Sequence, residues 1–277
     1  MKSIRTAFVL FTVATAFMAH AEDSYKIRRT LTEGAVEKYS YKNVFDANID
    51  LSSFGAPNMS MTMTQSMIAT ITYGKADATK KTTPFDIKVT EHKLDMEPAM
   101  PGGPEIPTEF SLSGALNELN SVSDMKADGM NETVKMMSAG ALDSLSSIFE
   151  FPEAEIKVGE TWKSVKSKKS LGGDTDEDIT HKLVAAEKLD GVDVLKIESK
   201  GKVTVRNESA EGMGMGPMKS TTEVTVDSIT YLNKATGQIV KTEAKSVPMN
   251  ILTDMGGMTI PMKGTYTTLM ELVKPKS

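Results

Sequence analysis

The sequence predicts a mainly β protein of the α+β class, with two similar antiparallel curved sheets or half-barrels joined by one amphipathic helix. The first observation is a repeated alternation of apolar and polar residues. Phe85, Ile87 and Val89, for example, are separated by Asp86 and Lys88, a pattern typical of a half-buried strand. The second is a single stretch of helical periodicity near the middle of the chain. The third is a weak similarity between the two halves.

The N-terminus has the features of a secretory signal peptide. Lys2 and Arg5 give a positive start, residues 7–18 form an apolar run, and Ala19 and Ala21 fit an A-x-A cleavage site. We therefore expect an exported protein, periplasmic or extracellular, whose mature chain begins after Ala21. No later stretch approaches the length of about 18 apolar residues that spans a membrane, so no transmembrane segment is expected in the mature chain.

Strand-like sequence fills most of the remaining chain, and one strand carries a methionine stripe. Met59, Met61 and Met63 alternate with serine and threonine. A period of two places the three thioethers on one face of a strand and the hydroxyl groups on the other.

Residues 131–150 are predicted to form the amphipathic helix. Asn131 can cap its N-terminus, and Pro152 ends it. Its apolar residues recur at intervals of three and four positions and are Val134, Met137, Ala141, Leu145 and Ile148. We expect this stripe to pack on the core, because the opposite face is weakly charged and not basic.

The two strand-rich halves are similar at one fixed offset of 108 residues, without gaps. The matches are 71–72 with 179–180, 87–89 with 195–197, and 126–129 with 234–237. The common offset indicates a two-fold repeat, whereas the shared composition of β-hairpins is the alternative explanation. The predicted organisation is a signal peptide over residues 1–21, a first β-rich half over 22–130, the helix over 131–150, and a second β-rich half over 151–277.

Several motifs resemble those of a family of exported bacterial proteins of unknown function. The segment from Pro152 to Trp162 is similar to the family's central P-x-x-x-V-x-V-G-D-x-W pattern, with Ile156 and Glu160 in place of valine and aspartate. Asn233 replaces the aspartate of the family's late D-x-x-T-G hairpin, and the early G-x-x-Y-x-Y spacing also differs. The resemblance covers most of the mature chain. It implies secretion and a β-rich architecture, and it brings no catalytic residues.

The composition argues against several classes of function. The chain has no cysteine, so disulfides, thiol catalysis and thiolate metal sites are absent. A net charge of −5 without a basic stripe argues against nucleic-acid binding. His92 and His181 lie far apart in polar strand sequence, and we expect both at the surface. No nucleophile, metal-ligand or cofactor motif occurs, so the sequence predicts no catalytic residues, no metal site and no cofactor.

Methionine is the compositional anomaly, with 20 residues, and three interpretations stay open. The methionines fill a core that is poor in aromatic residues, or their flexible thioethers line an adaptable apolar groove. The third interpretation is Cu(I) binding, which thioethers favour. Such sites usually add histidine or cysteine, and the sequence places neither nearby.

These patterns predict a non-enzymatic binding module for an apolar ligand or chain, such as a hydrophobic small molecule or a lipid chain. The candidate ligand-binding residues are Met59, Met61, Met63 and Trp162. At the level of fold alone, the expected architecture is similar to periplasmic lipoprotein-carrier and sensor domains, whose curved sheets hold acyl chains. The alternative is a structural or protein-interaction component of the cell envelope, with an envelope protein as partner. Cu(I) binding is the weaker third hypothesis.

Overall fold

The structure is a computed structural model of the 277-residue chain and describes residues 23–98, 107–129, 150–170, 173–209, 218–255 and 258–274. The predicted signal peptide lies outside the described residues, and so do residues 131–149 of the predicted helix. Both therefore stay predictions. The described residues contain no α-helix, only a short 3₁₀ turn at Ser52–Phe54. The described residues therefore contain no helix that is long and apolar enough to cross a membrane.

The described part of the chain is dominated by strands, many of them long. They are β1 (Ser24–Tyr25), β2 (Val36–Ile49), β3 (Met59–Tyr73), β4 (Thr82–Glu97), β5 (Phe110–Asn117), β6 (Val122–Asp128), β7 (Ile156–Lys157), β8 (Thr161–Ser170), β9 (Gly173–Leu189), β10 (Val192–Ser209), β11 (Met218–Asn233), β12 (Ile239–Met255) and β13 (Met258–Leu272). The mainly β prediction is confirmed.

Eleven of these strands form one antiparallel sheet, in the order β6-β5-β4-β3-β2-β13-β12-β11-β10-β9-β8, while β1 pairs with β7. The expectation of two separate large sheets is therefore wrong. Strand β13 pairs with β2 along eleven positions, from Met262 opposite Ile49 to Leu272 opposite Tyr39. This pairing joins the two halves of the chain edge to edge.

The predicted repeat positions fall on this sheet in a mixed way. Residues 71–72 lie in β3 and 179–180 in β9, whereas 87–89 and 195–197 lie in β4 and β10. The third match differs, because residues 126–129 end β6 while 234–237 form the turn after β11. The two-fold repeat stays a prediction.

One face of the sheet, here called the inner face, carries the apolar side chains. In β2 it includes Tyr39, Tyr41 and Phe45, which are 2–3% exposed, and the even-numbered residues between them point the other way. Directly opposed residues of antiparallel strands point to the same side, so the register assigns the inner face of every neighbouring strand.

A continuous core covers the inner face at one end of the sheet. This packed half carries Ala69, Ile87, Leu183 and Ile197, each at most 1% exposed. Ile27 and Phe151, from outside the large sheet, complete the same core. They belong to two chain segments that cross this end of the sheet.

The N-terminal segment is tied to the turns at the packed end. The amide of Arg29 donates to the carbonyl of Glu118 at 2.7 Å, and the amide of Thr30 donates to the carbonyl of Thr236 at 2.9 Å. The amide of Phe151 donates to the carbonyl of Leu119 at 2.8 Å. These bonds reach the turn between β5 and β6 and the turn between β11 and β12. The two segments therefore close the packed end of the sheet.

A buried ionic network fixes the N-terminal segment from inside. Nη2 of Arg29 donates to Oε2 of Glu37 at 2.5 Å and to the hydroxyl of Tyr73 at 2.8 Å. The hydroxyl of Tyr39 donates to the same carboxylate oxygen at 2.8 Å. Burial raises the pKa of Tyr73 to about 12. Burial lowers the pKa of Arg29, but the neighbouring Tyr73 and Glu37 outweigh it, so the guanidinium stays charged.

Candidate functional site

The candidate site lies on the inner face of the sheet, in the half that lies away from the packed core. In β3, Met59, Met61 and Met63 share this face, as the alternation predicts, and each is half-buried. Each stands opposite a buried apolar residue of β2. These partners are Ile49, Ala47 and Phe45, respectively.

Three other strands bring further methionines to the same face. Met96 of β4 lies directly opposite Met63. On the other side of β2, Met262 of β13 and Met249 of β12 follow the same register. We call this set the methionine face: Met59, Met61, Met63, Met96, Met249 and Met262. The sequence pattern identified only the three that share a strand, because strand pairing is not visible in a local alternation.

The centre of the methionine face has small side chains. In the row from Met61 to Met249, the two intervening residues are Ala47 and Gly264. A Cβ atom at Gly264 would lie 2.2 Å from a backbone oxygen of β2 and 2.9 Å from the ring of Phe45, so only glycine fits. The centre of the row therefore carries only small side chains, between the long and flexible side chains of Met61 and Met249.

The methionine face is apolar but incompletely covered. The continuous core includes Met67 of β3 but none of the residues of the methionine face. All six methionines are half-buried, whereas Met67 is 3% exposed. An ordered apolar surface that keeps access to solvent is a common property of sites for apolar ligands.

A row of mainly polar side chains separates the two halves of the inner face. In register across eight strands it consists of Gln65, Asn43, Thr268, Ala244, Ser228, Ser199, His181 and Trp162. We call it the polar row. Its members bond to one another or to close neighbours: the hydroxyl of Thr268 donates to Oδ1 of Asn43 at 3.2 Å, and Nε2 of Gln65 lies 2.9 Å from Nε2 of His92.

Trp162 lies at the β8 end of the polar row. Its Nε1 donates to the carbonyl of Glu150 at 2.9 Å, and its ring lies over His181 with centroids 5.1 Å apart. In the sheet order, β8 is seven positions from β3, so Trp162 is not a strand neighbour of Met59, Met61 and Met63. The structure thus groups the three methionines and places the tryptophan elsewhere on the same face.

His92 and His181 are both buried, and the prediction that they lie at the surface is wrong. His92 and His181 are each 1% exposed. Nδ1 of His181 lies 2.8 Å from Oγ of Ser199, and its Nε2 lies 3.2 Å from Oγ of Ser164. Burial, and to a smaller extent the charge of Lys166, lowers the pKa of His181 to about 4.

The contacts of His181 with two serines are structural in kind. A catalytic serine needs a hydroxyl that a substrate can reach, but Ser199 and Ser164 are only 3% and 5% exposed. The ring of Trp162 also covers the imidazole. This group holds β8, β9 and β10 together at the polar row.

Lysine side chains on the inner face at β8 are paired with nearby glutamates. Nζ of Lys168 lies 2.7 Å from Oε1 of Glu177, and Lys166 pairs with Glu150. Within the described residues, no cluster of three or more histidine, aspartate or glutamate side chains is placed to hold a metal ion.

The edge strand β8 is poorly suited to pairing with another protein. It carries four lysines, at positions 163, 166, 168 and 169. Lysines on an edge strand oppose the addition of a further strand, since their burial costs free energy. The envelope-partner alternative therefore gains no support from this edge.

Comparison with known proteins gives little similarity in sequence. No family model matches the chain, and no curated protein matches it. Among solved structures, lipovitellin, studied for its lipid–protein interactions, is similar at 9% identity over 90% of this chain, with a TM-score of 0.44. This chain spans only 26% of the lipovitellin chain. A DUF1329 family protein from Desulfovibrio piger is 10% identical over 87% of each chain, with a TM-score of 0.19.

Proposed function

We propose that the protein is a non-enzymatic binding module for an apolar chain, and that the chain lies on the methionine face. The observation that carries this proposal is the half-exposed apolar inner face, which continues an otherwise buried core. The same sheet buries its inner face almost completely in the packed half. A bound apolar chain would do the same for the methionine face.

The size of the methionine face suits an elongated ligand. From the polar row at Gln65 to Met59 it extends over six residue steps of β3, roughly 20 Å at about 3.3 Å per step. One leaflet of a bilayer, about half of a 30 Å hydrocarbon core, is shorter than this. A lipid acyl chain therefore fits along the strands, with the polar row at one of its ends.

The chemistry of the face also suits chains of varied shape. Methionine has three rotatable bonds and a polarisable thioether, so it adapts to irregular apolar surfaces. Ala47 and Gly264 keep the centre low, while Met61 and Met249 stand on either side. Each methylene group that leaves water adds about 0.8 kcal/mol to binding.

The test is displacement of a naphthylamine fluorophore from the purified protein by palmitate. The Met61→Lys variant places a charge on the inner face, and Ser60→Lys places the same charge on the exposed outer face of the same strand. We expect Met61→Lys to weaken palmitate binding by about tenfold or more, because a charge is costly to bury against an apolar chain. Ser60→Lys should bind as the wild type does.

Thermal unfolding of both variants shows whether the sheet is intact. If the wild type neither binds the fluorophore nor releases it to palmitate, the proposal is wrong. Equal binding of palmitate by folded Met61→Lys and wild-type protein would also contradict it, since palmitate would then bind elsewhere.

A further inference from the structure

Three residues of the methionine face are neighbours in register at its β3–β4 side. Met63 and Met96 are directly opposed across the two strands, and side chains in such pairs have Cβ atoms about 5 Å apart. Met61 is two residues along β3 on the same face, about 7 Å away. Because each side chain is long and flexible, the three sulfur atoms can reach one point between them.

Among the described residues, no acidic or histidine side chain is placed to compete as a ligand at this cluster. The acidic neighbours Asp95 and Glu97 are exposed, and the alternation of β4 directs them to the outer face. His92 is held by Gln65 at Nε2 and lies 2.9 Å from the carbonyl of Pro107 at Nδ1, so both its nitrogens are engaged. The donor set that Met61, Met63 and Met96 offer is sulfur alone.

We propose that Met61, Met63 and Met96 form a binding site for a soft monovalent cation, Cu(I). Neutral thioethers select Cu(I) over the hard divalent cations, which prefer oxygen ligands. All three residues are half-buried, so the cation can enter from solvent while the apolar neighbours limit its hydration. The site needs the sulfur atoms, whereas the proposed binding of an apolar chain needs only an apolar surface.

This difference allows a clean test. Leucine is close to methionine in volume and apolarity, so Met63→Leu and Met96→Leu remove a sulfur atom and keep the surface apolar. Met249→Leu, on the opposite side of β2, is the matched control. The purified full chain is titrated anaerobically with Cu(I) in competition with bathocuproine disulfonate.

We expect the wild type and Met249→Leu to take Cu(I) from the chelator with equal affinity. Loss of a partner that only supports a metal ligand already weakens metal binding by about 10- to 100-fold, so Met63→Leu and Met96→Leu should lose at least about tenfold. X-ray absorption at the copper edge should show sulfur as the only ligand atom. Binding of the naphthylamine fluorophore by the wild-type protein is measured in parallel, without copper.

The site is excluded if the wild type takes no Cu(I) from the chelator, or if Met63→Leu and Met96→Leu bind it unchanged. A nitrogen or oxygen ligand in the absorption spectrum would also overturn it. Fluorophore binding reports on the apolar-chain proposal separately, so failure of one proposal is distinguishable from failure of the other.

Discussion

The two halves of the inner face share their strands but not their burial. In the packed half, Ile87 and Leu183 are 1% and 0% exposed. Beyond the polar row, Met59, Met61 and Met63 continue the same alternation and stay half-exposed. Within the described residues, the segments around Ile27 and Phe151 cross the packed end, and this cover accounts for its burial. Strand pattern alone thus defines a face, while segments outside the sheet decide whether it becomes core.

The largest expected loss of stability comes from a change in the buried ionic network of the packed half. Glu37→Gln removes the charge that pairs with Arg29, whose Nε and Nη1 already lack partners. Leaving a buried guanidinium unpaired costs about 3–5 kcal/mol, so the free energy of unfolding in urea should fall by that amount. The exposed pair of Lys88 and Glu109 is the control, and Glu109→Gln should leave stability unchanged. Equal effects of the two substitutions would show that the network does not stabilise the packed half.

A matched pair of truncations measures the comparison directly. Leu183→Ala, at 0% exposure, should cost about 2–5 kcal/mol in urea unfolding, because it removes transfer free energy and leaves a cavity. Met61→Ala should cost less than half as much, since its side chain is only half-buried. Similar losses at both positions would mean that the methionine face is as well packed as the core.

Acidification should lower the free energy of unfolding through His181 of the polar row. The pKa of His181 is about 4 in the folded protein and near 6.5 when unfolded. The unfolded chain therefore takes up a proton that the folded chain does not, so stability is full above pH 6.5 and falls as pH drops towards 4. The loss from this group is about 3 kcal/mol. Urea unfolding of wild type and His181→Gln at pH 7 and pH 4 checks this, because carboxylates act equally in both. An identical pH dependence in the variant would contradict it.

The smallest expected effect concerns Trp162. Trp162→Phe keeps the ring over His181 but loses the bond to the carbonyl of Glu150, which should cost about 1 kcal/mol. Binding of the naphthylamine fluorophore should not change, because β8 is remote from β3 in the sheet. A weaker binding in this variant would extend the ligand site along the polar row to β8.

The sequence predicted the strands and the shared face of Met59, Met61 and Met63, because both follow from local alternation. Met96 was missed as their partner, since a strand register depends on pairing across a turn. His92 was misplaced because Glu91 and His92 together oppose the single Met67. This bulge, with Glu91 at a φ of 55°, reverses the alternation set by Val89 and turns the imidazole inward.

His181 was misplaced for a different reason. It alternates in phase with Ile179 and Leu183, so its inward position was readable from the pattern. Its polar neighbours in sequence belong to the other face. The bonds from Ser164 and Ser199 that make its burial tolerable come from two neighbouring strands, and no local pattern shows them. The polar row as a whole was invisible for the same reason.

The pairing of β2 with β13 has a consequence for how the chain folds. Tyr39 and Leu272 are opposed across the centre of the sheet, although nearly the whole chain separates them. Pairings between such distant residues form slowly, because the ordering entropy is lost before the contacts compensate for it. Until β13 has paired with it, β2 presents an unpaired edge in the middle of the future sheet. Such an edge invites association with other chains, so protection from aggregation during folding depends on this pairing.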